Sequence, residues 1–311
     1  MTATAHITNR NLAGIASLAL GVMIFSLQDA ILKTVSGDHA VTLAIFIRCL
    51  IAIPLLLIMV QIEVGLRRLR SRNLPVLLLR GLILLAAYTS YYMALPALPL
   101  AEAVALFFIA PVIVTILSGP MLGEHVSLKS WIAVVAGFAG VLIILQPGSA
   151  LFEPAALLSV ISAGTYALSA VLARRLGVEE PATVMAFYQN FVFMLGAGII
   201  AVIFNFSGVE RLGHPSLDFL VRPWAIPGLT DFLLMAACGV IAAVATFLLT
   251  NAYRMAQANI VTVFEYTGMI WGPLWGFLFF AEVPRLTTVI GTIIIIAAGI
   301  YAVRSAKSSA A

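Results

Sequence analysis

The chain has 311 residues, 62% of them hydrophobic, with 17 Lys+Arg against 13 Asp+Glu. So few charges and a mean hydropathy of +1.11 exclude a disordered chain and a nucleic-acid module, and leave too little polar surface for a soluble enzyme of this size. The two cysteines, Cys49 and Cys238, lie inside apolar runs and read as buried free thiols, not a disulfide scaffold.

A helix needs about 20 mostly apolar residues to cross about 30 Å of hydrocarbon. In chain order, ten runs approach that length: 12–33, 40–62, 74–95, 98–119, 129–146, 155–174, 182–206, 231–253, 258–280 and 286–303. The first is longer than the apolar region of a signal peptide and lacks a clear small-residue cleavage site, so it counts as a span. The breaks carry turn chemistry, as in Ser36-Gly37-Asp38, Pro96 to Pro99, Gln146-Pro147-Gly148-Ser149 and the Pro/Gly-rich stretch from Gly208 to Gly228. The longest connector, near 207–230, is read as loop and holds Trp224, an expected interface anchor.

Orientation follows from the Lys/Arg bias. With the N-terminus inside, the cytoplasmic ends hold Arg10, Arg67, Arg68, Arg70, Arg72, Arg80, Lys129, Arg174, Arg175, Arg254, Arg304 and Lys307. The other side holds only Lys33, Arg48, Arg211, Arg222 and Arg285. Both termini are therefore expected in the cytoplasm.

The spans read as two related groups of five. Phe46-Ile47-Arg48 in span two corresponds to Phe187-Tyr188-Gln189 in span seven, an offset of 141. Leu122-Gly123-Glu124 after span four corresponds to Phe280-Ala281-Glu282 after span nine, an offset of 158. An odd number of spans per half turns the second half upside down relative to the first. The expected fold is all-α transmembrane, ten helices as two inverted five-helix repeats, 1–150 and 151–311, around a central cavity. Such inverted repeats are typical of secondary transporters, whose substrate site lies near the midplane where the repeats meet.

On these features the chain resembles the drug/metabolite transporter superfamily, EamA-type. The resemblance covers essentially the whole chain and is strongest from Ala110-Pro111 through Leu122-Gly123-Glu124. The second half departs, with Met269 in place of the proline and Ala281 in place of the glycine. Within the branch the chain is most similar to bacterial aromatic amino acid exporters. That resemblance implies an inner-membrane carrier exporting aromatic and other hydrophobic amino acids by alternating access, as a monomer or homodimer. A multidrug, cationic-compound or nucleotide-conjugate carrier is the alternative.

Matching faces of paired spans locate the path. In span six, Ser159, Ser162, Tyr166 and Ser169 recur at helical spacing on one face, against Gln28 and its neighbours in span one. Tyr88, Tyr91 and Tyr92 form an aromatic face in span three, with Thr246 and Thr250 at the span-eight equivalents. Span nine places Thr262, Glu265, Tyr266 and Met269 on one face, opposite the span-four positions that include Phe107. The substrate-binding candidates are therefore Gln28, Tyr88, Tyr91, Tyr92, Phe107, Ser162, Tyr166, Ser169, Thr250, Glu265 and Tyr266. Serines and threonines in such helices also glue helices together, and Gly268, Gly272 and Gly276 read as a stripe that lets another helix approach closely.

Glu265 lies two turns inside span nine, where a charge costs about 2.5–3.5 kcal/mol on insertion scales. It is a candidate for proton coupling or for holding a substrate ammonium. Arg48, toward the outer end of span two, matches an arginine that the family often carries there, and is the second coupling or gating candidate. A contact to helix-end carbonyls or snorkelling to the interface is its structural alternative. Asp29 and Lys33 are expected as a local i,i+4 pair. Glu102 is expected at the interface, and Glu124 and Glu282 at turns or helix ends.

No Walker A pattern points to ATP, and no H-E-x-x-H or G-x-S-x-G points to an enzyme. His6, His39, His125 and His214 fall outside the spans, which leaves no histidine-based intramembrane metal site or relay. No filter sequence or ring of charges suggests a channel. The expected partners are a small-molecule substrate and the bilayer, with no cofactor, no metal and no nucleic acid.

Overall fold

The computed structural model describes residues 2–122, 128–149, 151–176, 180–255 and 266–308. The elements run α1 (Thr2–Val35), α2 (Val41–Glu63), a 3-10 turn at Leu66–Leu69, α3 (Leu74–Ala94), α4 (Leu100–Phe107), α5 (Ala110–Leu122), α6 (Leu128–Leu145) and α7 (Ala156–Leu176). They continue with α8 (Ala182–Ser207), α9 (Pro215–Val221), α10 (Leu229–Met255), α11 (Gly268–Phe280) and α12 (Leu286–Ser308). The described residues form no strand. Stretches within α1, α2, α3, α8 and α10 are each long and apolar enough to cross a membrane, and α4–α5, α6, α7, α11 and α12 supply shorter apolar segments.

Two features depart from a simple series of ten spans. The fourth breaks at Phe108-Ile109 into α4 and α5. Pro111 lacks the amide hydrogen that would bond to the carbonyl of Phe107, so the helix stops and restarts around it. A turn at Tyr266-Thr267 stands before α11 at the positions 158 further on, without a proline. The connector near 207–230, read as loop, contains α9. His214 caps its start, Nδ1 accepting from the Ser216 amide at 3.2 Å, and Pro215 occupies its first turn, where a missing amide hydrogen costs nothing. Arg222 then donates to the Ser36 and His39 carbonyls at 3.0 and 3.2 Å. Trp224 donates to Thr42 Oγ1 at 2.8 Å and its ring lies 5.1 Å from Phe46. The connector is thus strapped across the α1–α2 turn.

Burial is inverted relative to a soluble protein. Leu50, Ile58, Leu79, Leu82, Val135, Ile199, Ile203, Phe277 and Ile293 are exposed, whereas Gln28, Asp29, Arg48, Ser159, Ser162, Ser169 and Asn190 are buried. An apolar exterior is stable only against lipid, and buried polar groups in such a molecule mark its interior path.

The helix contacts come in matched sets. Helix α1 lies along α10 as α3 lies along α7, and α2 meets α10 as α3 meets α8. Helix α11 meets α1 as α4 and α5 meet α7, while α2 with α8, α4 with α11 and α6 with α12 pair directly. Glycines sit at several close helix contacts. A β-carbon on Gly81 of α3 would stand 2.8 Å from Val192 Cγ2 of α8, and one on Gly239 of α10 would stand 2.7 Å from Ile51 Cβ of α2. Gly239 follows Gly81 by 158 residues and Val192 follows Ile51 by 141. Gly140 of α6 and Gly291 of α12 face each other, each packed against the other's carbonyl oxygen. The stripe Gly268, Gly272, Gly276 faces Phe108 at the break and Val104 and Leu100 of α4, so its role as a packing surface holds.

Candidate functional site

The polar interior centres on Tyr92 of α3. Its hydroxyl accepts from Gln28 Nε2 at 2.6 Å and from Arg48 Nη1 at 3.3 Å, joining α1, α2 and α3. Tyr91, one residue earlier, donates to Asp29 Oδ2 at 3.0 Å. Two adjacent residues of α1 are therefore matched to two adjacent tyrosines of α3.

Arg48 is 2% exposed, so neither snorkelling nor an interface role describes it. The guanidinium carbon lies 5.6 Å from the centre of the Tyr88 ring and 6.0 Å from that of Phe193. These faces provide cation–π stabilisation. Among the described residues its buried Nε has no hydrogen-bond partner, and no carboxylate forms an ion pair with it. A carboxylate would be the usual partner of a buried guanidinium.

Aromatic rings surround this network. Tyr88 contacts Tyr92 at 5.7 Å and Phe193 at 5.3 Å; Tyr91 contacts Phe107 at 5.3 Å; Phe107 contacts Tyr166 at 5.2 Å. The break after α4 sets Phe107 against Tyr91 and Tyr166. Phe107 and Phe108 then continue the ring series to Tyr266, at 6.2 and 6.0 Å. The Oγ atoms of Ser159, Ser162 and Ser169 are buried on α7 and make no hydrogen bond among the described residues.

The structure thus brings Gln28, Arg48, Tyr88, Tyr91, Tyr92, Phe107 and Tyr166 into one connected cluster and sets Tyr266 at its edge. Ser162 and Ser169 are buried on the helix that carries Tyr166. Glu265, Thr262, Glu124 and the side chain of Thr250 lie outside the described residues. Sequence reading missed Asp29 and Phe193 as members. The signal for Asp29 was present: a carboxylate beside Gln28 in an otherwise apolar run.

The expected Asp29–Lys33 pair is not formed. Lys33 bonds instead to Glu282 and, at 2.5 Å, to the Leu98 carbonyl, which frees Asp29 for Tyr91. Glu282 also accepts from the Leu100 amide at 2.8 Å. It caps α4, a helix whose own N-cap, Pro99, supplies no side-chain bond, and its negative charge suits that helix end. Glu102, at the start of α4, is buried: it is 4% exposed, pairs with Arg285 Nε at 3.1 Å and accepts from Thr288 at 3.2 Å. His39 and Asp231 meet at 2.8 Å on the same face. On the opposite face Glu180 accepts from Asn73 Nδ2 at 3.1 Å and from the Ser71 hydroxyl. Those two contacts join equivalent positions, since Glu180 follows His39 by 141 residues and Asp231 follows Asn73 by 158.

A lipid-facing exterior, a buried polar centre and ion-paired helix ends describe a membrane carrier. Residues 12–146 match the model of the EamA-like transporter family. That part of the chain is similar to the family. The whole chain is similar to several named transporters. It is 28% identical to the pseudopaline exporter of Pseudomonas aeruginosa over 95% of this chain and 97% of that protein. It is 25% identical to the S-adenosylmethionine uptake transporter of Rickettsia prowazekii over 96% of this chain and 95% of that one. A riboflavin transporter of Rhizobium johnstonii is 30% identical over 68% of the chain and 64% of its own length. A solved crystal structure superposes with a TM-score of 0.64 at 17% identity, covering 98% of this chain and 99% of the other. That likeness concerns the fold.

Proposed function

We propose that this chain is an EamA-type transporter and exports amino acids, aromatic and other hydrophobic ones foremost, by alternating access between two inverted five-helix repeats, 1–150 and 151–311. The observation that carries the substrate reading is Arg48: a buried guanidinium with no ion pair among the described residues, bonded to Tyr92 and walled by aromatic rings. The matched contact sets support the repeat arrangement. Exchanging each span with its counterpart reproduces the largest helix contacts, down to Gly81–Val192 against Gly239–Ile51. Two equivalent halves give two equivalent gates, and rocking one half against the other opens them in turn.

Gln28, Tyr88, Tyr91, Tyr92, Phe107, Tyr166 and Tyr266 supply the substrate contacts in this reading, with Ser162, Ser169, Thr250 and Glu265 as further polar positions. Arg48 and Glu265 are the coupling or gating groups. Both termini face the cytoplasm, and the α1–α2 turn faces outward. Carriage of larger metabolites is the second reading, favoured by relatives named for pseudopaline, S-adenosylmethionine and riboflavin. Export and uptake both occur among those names. The protein acts as a transporter and not as an enzyme.

Purified protein in liposomes, screened against labelled amino acids with and without a pH gradient, tests the proposal. Saturable uptake with counterflow is expected; uptake of the named metabolites without any amino acid would replace it with the second reading. Glu265→Gln is expected to change the transport rate and its pH dependence, and an unchanged profile would remove Glu265 from coupling.

A further inference from the structure

The centre holds two opposite charges that are kept from each other by the tyrosines. Arg48 is fixed by Tyr92 and Asp29 by Tyr91. No ion pair joins the two charges. Their unfilled bonding capacity is complementary. Among the described residues, Arg48 uses one of the five N–H donors of a guanidinium, in a bond of 3.3 Å, and its buried Nε uses none. Among the same residues Asp29 takes one hydrogen bond, at Oδ2, and the neighbouring Gln28 has a buried Oε1 without a partner.

Resting on the amino-acid reading above, we infer that this cluster is a head-group site for the α-amino acid zwitterion. Arg48 receives the carboxylate; Asp29 and Gln28 Oε1 receive the ammonium. The zwitterion is the ligand that satisfies both sides at once and adds no net charge to a buried site. An amine without a carboxylate leaves Arg48 unmatched and faces its repulsion. A carboxylic acid without an amine leaves Asp29 unmatched. Bonds from both charged groups are the strong, charge-assisted kind, and a site built to bond a polar group rejects an analogue lacking that group. Tyr88, Phe107 and Tyr166 are left to contact the side chain, so the head group and not the ring decides entry.

Counterflow in liposomes containing the purified full chain tests this. The probes are the best-transported of the twenty amino acids and its decarboxylated and deaminated analogues; for phenylalanine these are phenethylamine and 3-phenylpropionate. Each analogue is expected to compete about 10–150-fold more weakly than the amino acid, the worth of hydrogen bonds to a charged group. Arg48→Gln is expected to weaken the amino acid while competition by the amine holds or improves, since a repelling charge is removed; Asp29→Asn is expected to do the same for the acid. Phenethylamine competing as well as phenylalanine would overturn the head-group site while amino-acid carriage stands. A uniform loss for all three probes in Arg48→Gln would make Arg48 structural and overturn its role. The analogue series on the unaltered protein decides the case even where the variants fail to fold. If none of the twenty amino acids supports counterflow, the site and the amino-acid reading fall together.

Discussion

Charge is handled in opposite ways at the centre and at the face that carries the α1–α2 turn. At the face, three contacts form a lock: Lys33 with Glu282, Arg285 with Glu102, and the His39 ring with Asp231. At the centre, Arg48 and Asp29 are held by neutral tyrosine hydroxyls and do not pair. The face is complete as it stands and holds helices together; the centre leaves charged groups matched to no charged partner. A gate needs contacts that form and break, whereas a binding site needs capacity that the protein itself does not fill.

The sharpest way to break this comparison is Tyr92→Phe. It removes one hydroxyl and leaves Gln28 Nε2 and Arg48 Nη1 without their acceptor. Each such loss costs about 1–3 kcal/mol, so counterflow at fixed substrate is expected to fall by about 10–100-fold; a change under about 2-fold would deny the centre its role. Next in size is Gly239→Ala. Its β-carbon would stand 2.5 Å from the Arg48 carbonyl oxygen, and overpacking of this kind costs about 1–3 kcal/mol. A clear drop in the melting temperature of the purified protein in detergent is expected, because the crossing that seats Arg48 is pushed apart.

Glu282→Gln acts on the lock. Lys33 and Glu282 are 12% and 22% exposed, and partly solvated pairs contribute about 0.2–1 kcal/mol. The fraction of molecules open at this face should therefore rise by about 1.4–5-fold, read by thiol labelling of a single cysteine at Asp29 or Gln28 from that side. Substrate half-saturation corrected for that shift should stay constant; a change of more than about 10-fold would make the lock part of the binding site. Asp231→Asn is the smallest, since Asp231 is 37% exposed and water screens its pairing with His39. A shift of well under about 1 kcal/mol is expected, and added salt should mimic it at the face while leaving the centre unaffected.

Much of the site was legible along the chain. Tyr88, Tyr91 and Tyr92 share a face because of helical spacing alone, and Gln28 and Tyr166 follow from matched faces of paired spans. Arg48 stood out as a cation within an apolar run. The assignment of Lys33 to Asp29 failed for a physical reason. Spacing of four residues permits a pair, but Glu282 arrives from 249 residues away, and a contact across the fold competes on equal terms with a local one. The partners of Glu102 were missed for the same reason: Arg285 and Thr288 come from the loop before α12 and from α12 itself. The break between α4 and α5 had its signal in Pro111, but a single proline also occurs inside continuous helices such as α2, which contains Pro54.

Composition and periodicity by themselves determined that this is a bundle of apolar helices in a bilayer, because no other environment solvates 62% hydrophobic residues with so few charges. The offsets of 141 and 158 also exist in the chain before it folds. Only the tertiary structure decided which charges meet. Pairing depends on distance in space, and in a helical bundle the nearest partner of a buried group usually belongs to another helix. That is why Lys33 closes a face with Glu282 while Asp29, one turn before it, turns inward to Tyr91.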